Sequence, residues 1–140
     1  MRISLGYPDR DAERELLMGA DRREMVDQLQ AVLMPHDLLD LQQQVRQVHA
    51  SRPLINYLQD LMAATRSGRW FVQGLSPRAG IGVMRAAKAQ AFLNERDYVA
   101  PDDISAVLPQ TAAHRLVPVS DAGRGAQEQV RAMLAAVALP

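Results

Sequence analysis

The residues best suited to chemistry in this chain are Arg78 and, seven positions on, Arg85. Ser76 and Pro77 spell out a helix start, because serine is a favoured N-cap and proline is tolerated at the first helical position. Arg78 then falls in the first turn, where unpaired N–H donors and the positive end of the helix dipole favour Asp or Glu. An arginine there works against that preference unless an anion joins it. Backbone N–H groups, dipole and guanidinium fork together suit a phosphate. Arg85 lies nearly above Arg78 on the same helical stripe. A local acid such as Asp97, or plain solvation, accounts for Arg78 equally well on these grounds alone.

Other chemistries find less support. No GxxxxGK[ST] phosphate loop is present, so nucleotide binding and hydrolysis by that route are excluded for this chain alone. The glycines of "AGIG" at 79–82 sit inside a helical pattern without a preceding strand, and read as packing glycines rather than a dinucleotide fingerprint. His36, His49 and His114 are scattered without a second ligand at helical spacing, so no metal site is expected. Asp102 and Asp103 read as a helix-start pair rather than acid/base catalysts.

The elements that must position Arg78 are helical. "DRDAERELLMGADR" reads as a short charged helix from Asp9, stopped near Gly19. "RREMVDQLQAVLM" fits either a second short helix or an irregular connection. Pro35 opens "PHDLLDLQQQVRQVHA", with Leu38, Leu41, Val45 and Val48 on one face. Ser51 caps the next helix, which Gly68 ends. The "SPR" helix follows, and its alanines and glycines between 79 and 91 mark it as the central, most buried one. Pro101 opens another helix, and "AQEQVRAMLAAVALP" closes the chain as an amphipathic helix through Val130, Met133, Leu134 and Val137. "RISLGY" at the start has strand-like residues, ended by Gly6 and Pro8, but no partner for a sheet. The expected fold is an all-α bundle of five to seven helices with one short strand remnant.

Composition agrees with one domain of 140 residues and an aliphatic core. No cysteine excludes disulfides and thiolate chemistry, and no segment resembles a signal peptide or approaches a membrane span, so a cytoplasmic protein is expected. The net charge of zero is unevenly spread: residues 41–100 hold eight Arg/Lys against three acids, and residues 1–40 five against nine. The basic middle leaves a helical nucleic-acid-binding module, or a protein-interaction module, as the alternative function.

Three segments in order, "RISLGYPDRDAERELL", "LSPRAGIGVMRAAKAQAFLNERDYVAPDDI" and "HRLVP", resemble the C-terminal portion of MoxR-type AAA+ ATPases. The resemblance implies a lid subdomain following the last strand of an ATPase core. It divides the chain into a core-strand remnant and linker at 1–8, a helical lid at 9–118, and a loop and amphipathic helix at 119–140. "SPRA" would be the sensor 2 motif, making Arg78 the arginine that reaches the γ-phosphate of ATP, with Ser76 beside it. Gly6, Tyr7 and Pro8 would lie at the core–lid junction, near the nucleotide. Walker A, Walker B, sensor 1 and the arginine finger would all lie upstream of Met1, so the chain is expected to be a fragment that does not hydrolyse ATP by itself. The whole protein would bind ATP with Mg, form hexameric rings whose neighbouring subunits contact the lid, and act in a chaperone-like way on von Willebrand factor A-domain proteins. Neither membrane nor nucleic-acid partners are implied. In that branch the arginine serves its own subunit's nucleotide or a neighbour's. Departures from the pattern are Leu75, where a small residue is usual, Ala100 in place of a Ser/Thr cap, and the 68–75 connection with Trp70 and Phe71.

Overall fold

The computed structural model describes residues 1–19, 25–26, 28–119 and 125–140. Among them the regular structure is all α: α1 (Arg10–Met18), α2 (Pro35–Gln47), α3 (Arg52–Arg66), α4 (Pro77–Leu93), α5 (Pro101–Ala112), a 3-10 turn (Ala113–Arg115) and α6 (Ala126–Ala136). Of "RREMVDQLQAVLM", residues 22–24 and 27 lie outside the described ones; Met25 and Val26 are helical, and 28–34 form an irregular connection. The chain divides into two compact units, one of residues Ile3–Leu41 and one of Met1–Arg2 with Gln42–Pro140.

The Ile3–Leu41 unit holds α1 and the start of α2. Asp9 caps α1 by accepting from the N–H groups of Asp11 and Ala12, and Gly19 ends it. The strand expected at Ile3–Tyr7 does not form. The residues favour extended backbone, but a strand is held by ladder hydrogen bonds to a neighbour, and among the described residues Ile3–Tyr7 makes none. Gly6 takes a left-handed φ of 72°, which turns the chain before Pro8.

The larger unit carries the core. Tyr57 and Leu61 of α3, Val83 of α4, Ile104 and Leu108 of α5, and Val130 and Met133 of α6 are all buried. Helix α4 presents Ala79, Gly80, Val83, Ala87 and Ala91 to the interior, and its most extensive packing is against α5. Small side chains on that face let the two helix axes approach closely. The central helix is nevertheless α5 and not α4 as alanine content suggested: α5 packs on α3, α4 and α6 and buries half of its residues, because its Ile104, Val107 and Leu108 supply the apolar volume that alanines lack. At Gly80 a Cβ would stand 2.4 Å from the Met62 sulfur of α3, so that approach requires glycine or a displaced methionine.

Two single bridges tie the connections down. His49 donates its N–H to the Asp97 carbonyl at 2.7 Å, and Val99 donates back to His49 at 2.9 Å. Phe71 pairs antiparallel with Pro118, where Val72 donates to Val117 and Val119 to Trp70. The 68–75 connection is therefore structured, with Phe71 buried in the core rather than looped into solvent.

Helix α5 starts at Ala100, which has no side-chain acceptor to offer. Half of a capping box survives: the Asp103 carboxylate accepts the Ala100 N–H at 2.8 Å. Ala100→Ser supplies the missing half and is expected to stabilise the protein by about 0.5–1 kcal/mol. Urea unfolding of the two proteins measures it, and an unchanged midpoint would show that the serine hydroxyl does not reach the first-turn donors.

Candidate functional site

The Arg78 environment is built from the end of α3 forward. Thr65 is buried; its hydroxyl donates to the Met62 carbonyl at 2.7 Å and accepts the Leu75 N–H at 3.0 Å. Next to it, Arg66 Nε donates to the Leu75 carbonyl at 2.8 Å. Both backbone groups of Leu75 are thus held by one helical turn, and the Leu75 side chain is buried. Gly74 passes so close that a Cβ there would lie 2.3 Å from Arg66 Cγ and 2.7 Å from Arg66 Cα. Since the second of these atoms is backbone, no side-chain rotation relieves the clash. Gly74→Ala is expected to cost about 1–3 kcal/mol, read from the thermal midpoint, and a wild-type midpoint would contradict the close approach.

This clamp fixes Ser76, whose Oγ accepts the Ala79 N–H at 3.3 Å as the N-cap of α4. Pro77 has no N–H, and among the described residues the Arg78 N–H has no acceptor. The Arg78 side chain is exposed, and among the described residues no carboxylate pairs with it. Asp97, the local partner that spacing allowed, follows the opposite end of α4. At 1.5 Å per residue this 17-residue helix separates them by about 25 Å.

Arg78 lines a cavity of about 430 Å³ together with Ala79, Ile81, Gly82 and Arg85 of α4. Its other wall brings Thr111 from the last turn of α5 and Arg115 from the 3-10 turn, with Met1 at its margin. Three guanidinium-bearing residues therefore share one cavity, and no carboxylate lines it. Arg115 Nε donates to His114 Nε2 at 3.2 Å, and among the described residues its Nη groups have no hydrogen-bond partner. Spacing along α4 already aligned Arg85 with Arg78, but nothing local connects Arg115 to them. Its only sequence signal was its place in "HRLVP".

Of the remaining basic residues of the middle section, Arg46 and Lys88 adjoin this cluster, lining a neighbouring cavity with Arg85. Arg66 is spent on Leu75, Arg69 lies 5.0 Å from the Trp70 ring centroid, and Lys88 donates to the Arg46 carbonyl at 3.0 Å. Gly6, Tyr7 and Pro8, expected near the nucleotide, belong to the other unit and are exposed.

The end of α4 and the start of α5 are joined by an ion pair that the helix-start reading of Asp103 did not foresee. Arg96 Nη1 donates to Asp103 Oδ2 at 2.7 Å and Nη2 to Oδ1 at 2.5 Å, a bidentate pair with Asp103 2% exposed. Burial pushes the Asp103 carboxyl upward. The Arg96 hydrogen bond, the Ala100 N–H and the Arg96 charge, with Asn94 adding to them, outweigh that and hold it below the usual carboxylate range. The same bond raises the Arg96 guanidinium further.

Comparison with known proteins places this geometry. Residues 63–137 match the AAA lid domain family. An uncharacterized protein of Bacillus subtilis, YeaC, is 33% identical over 142 residues, covering 99% of this chain and 44% of that protein. Chaperone MoxR1 of Mycobacterium tuberculosis is 34% identical over 132 residues, covering 86% of this chain and 34% of that protein. A solved structure from Cytophaga hutchinsonii, provisionally assigned as an ATPase, superposes over 100% of this chain and 46% of its own with a TM-score of 0.80 and 29% identity. The chain thus spans less than half the length of these relatives. With the matched residues covering more than half of its length, the chain belongs to the AAA lid domain family and is of the MoxR type.

Proposed function

We propose that this chain is the lid of an ATP-hydrolysing AAA+ protein and that Arg78 is its sensor 2 arginine, contacting the terminal phosphate of ATP held by a core domain. The observation that carries the reading is Arg78 itself. It is an exposed guanidinium beside a free helix-start N–H, on a helix buried along most of its length, in a cavity without a carboxylate. Its backbone is fixed by the helix and the N-cap, and its guanidinium is left open to an anion from outside. The residues present fit a phosphate, and no acid lines the cavity to hold magnesium, so Mg would be bound by the core. ATP with Mg supplies the phosphoryl group whose transfer the core catalyses. The role of this chain is to place positive charge where negative charge develops and to move as a lid when it is lost.

On the same reading, residues 9–118 form the lid proper and 119–140 pack on it, with 1–8 leading in from the core. Ser76 acts through its cap, and Gly6, Tyr7 and Pro8 sit at the junction. The whole protein would work in the cytoplasm as a hexameric ring in which neighbouring subunits contact the lid. It would remodel other proteins in a chaperone-like way, von Willebrand factor A-domain proteins among them; one relative carries the name chaperone. The chain alone would not hydrolyse ATP. ATP turnover by the protein joined to its core, with and without Arg78, tests the assignment; equal turnover in the two would reject it.

A further inference from the structure

We propose that Arg85 and Arg115 complete, with Arg78, a cradle for more than one phosphate group, so that this lid grips a polyphosphate chain rather than a single terminal phosphate. The inference rests on the reading of Arg78 as a phosphate contact and extends it to two residues outside the "SPR" motif.

The argument begins from charge. Guanidinium groups stay protonated at any pH the protein meets, so three of them around one cavity repel one another at all times. Most other cations of this region have found partners: Arg96 has Asp103, Arg66 has a carbonyl, and Lys88 has a carbonyl. Among the described residues no carboxylate pairs with Arg78, Arg85 or Arg115. The fold could have placed an acid among them and has instead placed Ala79, Ile81, Gly82 and Thr111 between them.

Geometry points the same way. Arg78 and Arg85 stand on one stripe of α4, about 10 Å apart along its axis. Arg115 enters from the opposite wall. A Cβ added at Gly82, which lines the cavity between the two α4 arginines, would meet nothing within 4 Å. One phosphate has only four oxygens to offer three two-pronged forks. A cavity of about 430 Å³ has room for linked phosphates, each bringing its own oxygens.

The experiment uses this 140-residue chain and inorganic tripolyphosphate as the probe, titrated calorimetrically at low salt. Binding is expected to weaken about three- to tenfold in each of Arg85→Gln and Arg115→Gln, as in Arg78→Gln, and in all cases as salt rises. Orthophosphate is expected to bind less tightly than tripolyphosphate. All three side chains are exposed, so the variants should keep the wild-type thermal midpoint, which a melt confirms. Wild-type affinity in Arg85→Gln and Arg115→Gln overturns the cradle, and so does equal binding of the two phosphates. A polyglutamate peptide that binds more tightly than tripolyphosphate overturns it in favour of an acidic protein partner. The two readings separate cleanly. Loss of ATP turnover on Arg78→Ala, with wild-type tripolyphosphate affinity in the other two variants, keeps the sensor and removes the cradle. Unchanged turnover, with tripolyphosphate affinity depending on all three, removes the sensor.

Discussion

In the protein that carries its ATPase core, Arg78→Ala is expected to lower ATP turnover about 100-fold while changing ATP affinity no more than about fivefold. The asymmetry follows from where the charge develops. A triphosphate bound by a core is already neutralised in part by its magnesium, so one exposed arginine adds little to ground-state binding. As the phosphoryl group departs, charge shifts onto oxygens that a guanidinium held at a helix start meets without reorganising. Rigidity is the essential condition. Arg78 stands on a helix whose Ala79, Val83, Ala87 and Ala91 are buried and whose N-cap is clamped through Leu75 to Thr65 and Arg66. Steady-state hydrolysis with paired nucleotide titrations checks the prediction. A variant that lost affinity and turnover in equal proportion would make Arg78 a binding group rather than a sensor of the reacting phosphate.

The second large effect is expected at Asp103. Asp103→Ala removes both the Arg96 partner and the acceptor of the Ala100 N–H in one step. Breaking a buried pair from one side costs about 3–5 kcal/mol when the remaining charge is trapped. Here Arg96 is a quarter exposed and regains water, so about 2–4 kcal/mol is expected, a large share of the stability of a domain this size. The sign of the pH dependence follows from the depressed carboxyl. The folded protein binds the Asp103 proton less readily than the unfolded chain does. The contribution of the pair is therefore fully present above about pH 4 and is lost as pH falls through the lower folded value. Urea unfolding of wild type and Asp103→Asn at pH 6 and pH 3 should show a gap at the first and a narrower one at the second. A gap that stays constant would mean that Asp103 contributes by packing and not by charge. The same pair matters to the cavity, because it joins the end of α4 to the start of α5. Thr111 and Arg115 stand at the other end of α5, opposite Arg78 and Arg85.

The sequence by itself determined most of the helices and the place of Arg78. Ser51 and Ser76 cap α3 and α4 as their types and spacing require, and Pro35 and Pro101 open α2 and α5. Alanine content marked the buried small-residue face of α4, but not that α5 would be the central helix. These features are legible because caps, proline geometry and helical periodicity act within a few residues of chain. The strand-like "RISLGY" shows the limit of that logic, since local preference makes an extended segment and only a neighbour makes it a strand. Tertiary structure alone decided which charges meet. It buried Asp103 against Arg96 and folded Phe71 into the core. It also pressed Gly74 onto the Arg66 backbone and brought Arg115 across from α5 to share a cavity with Arg78 and Arg85. Each of these joins residues whose separation in space is set by how helices pack, a property of side-chain volumes summed over the whole core and not of any short stretch.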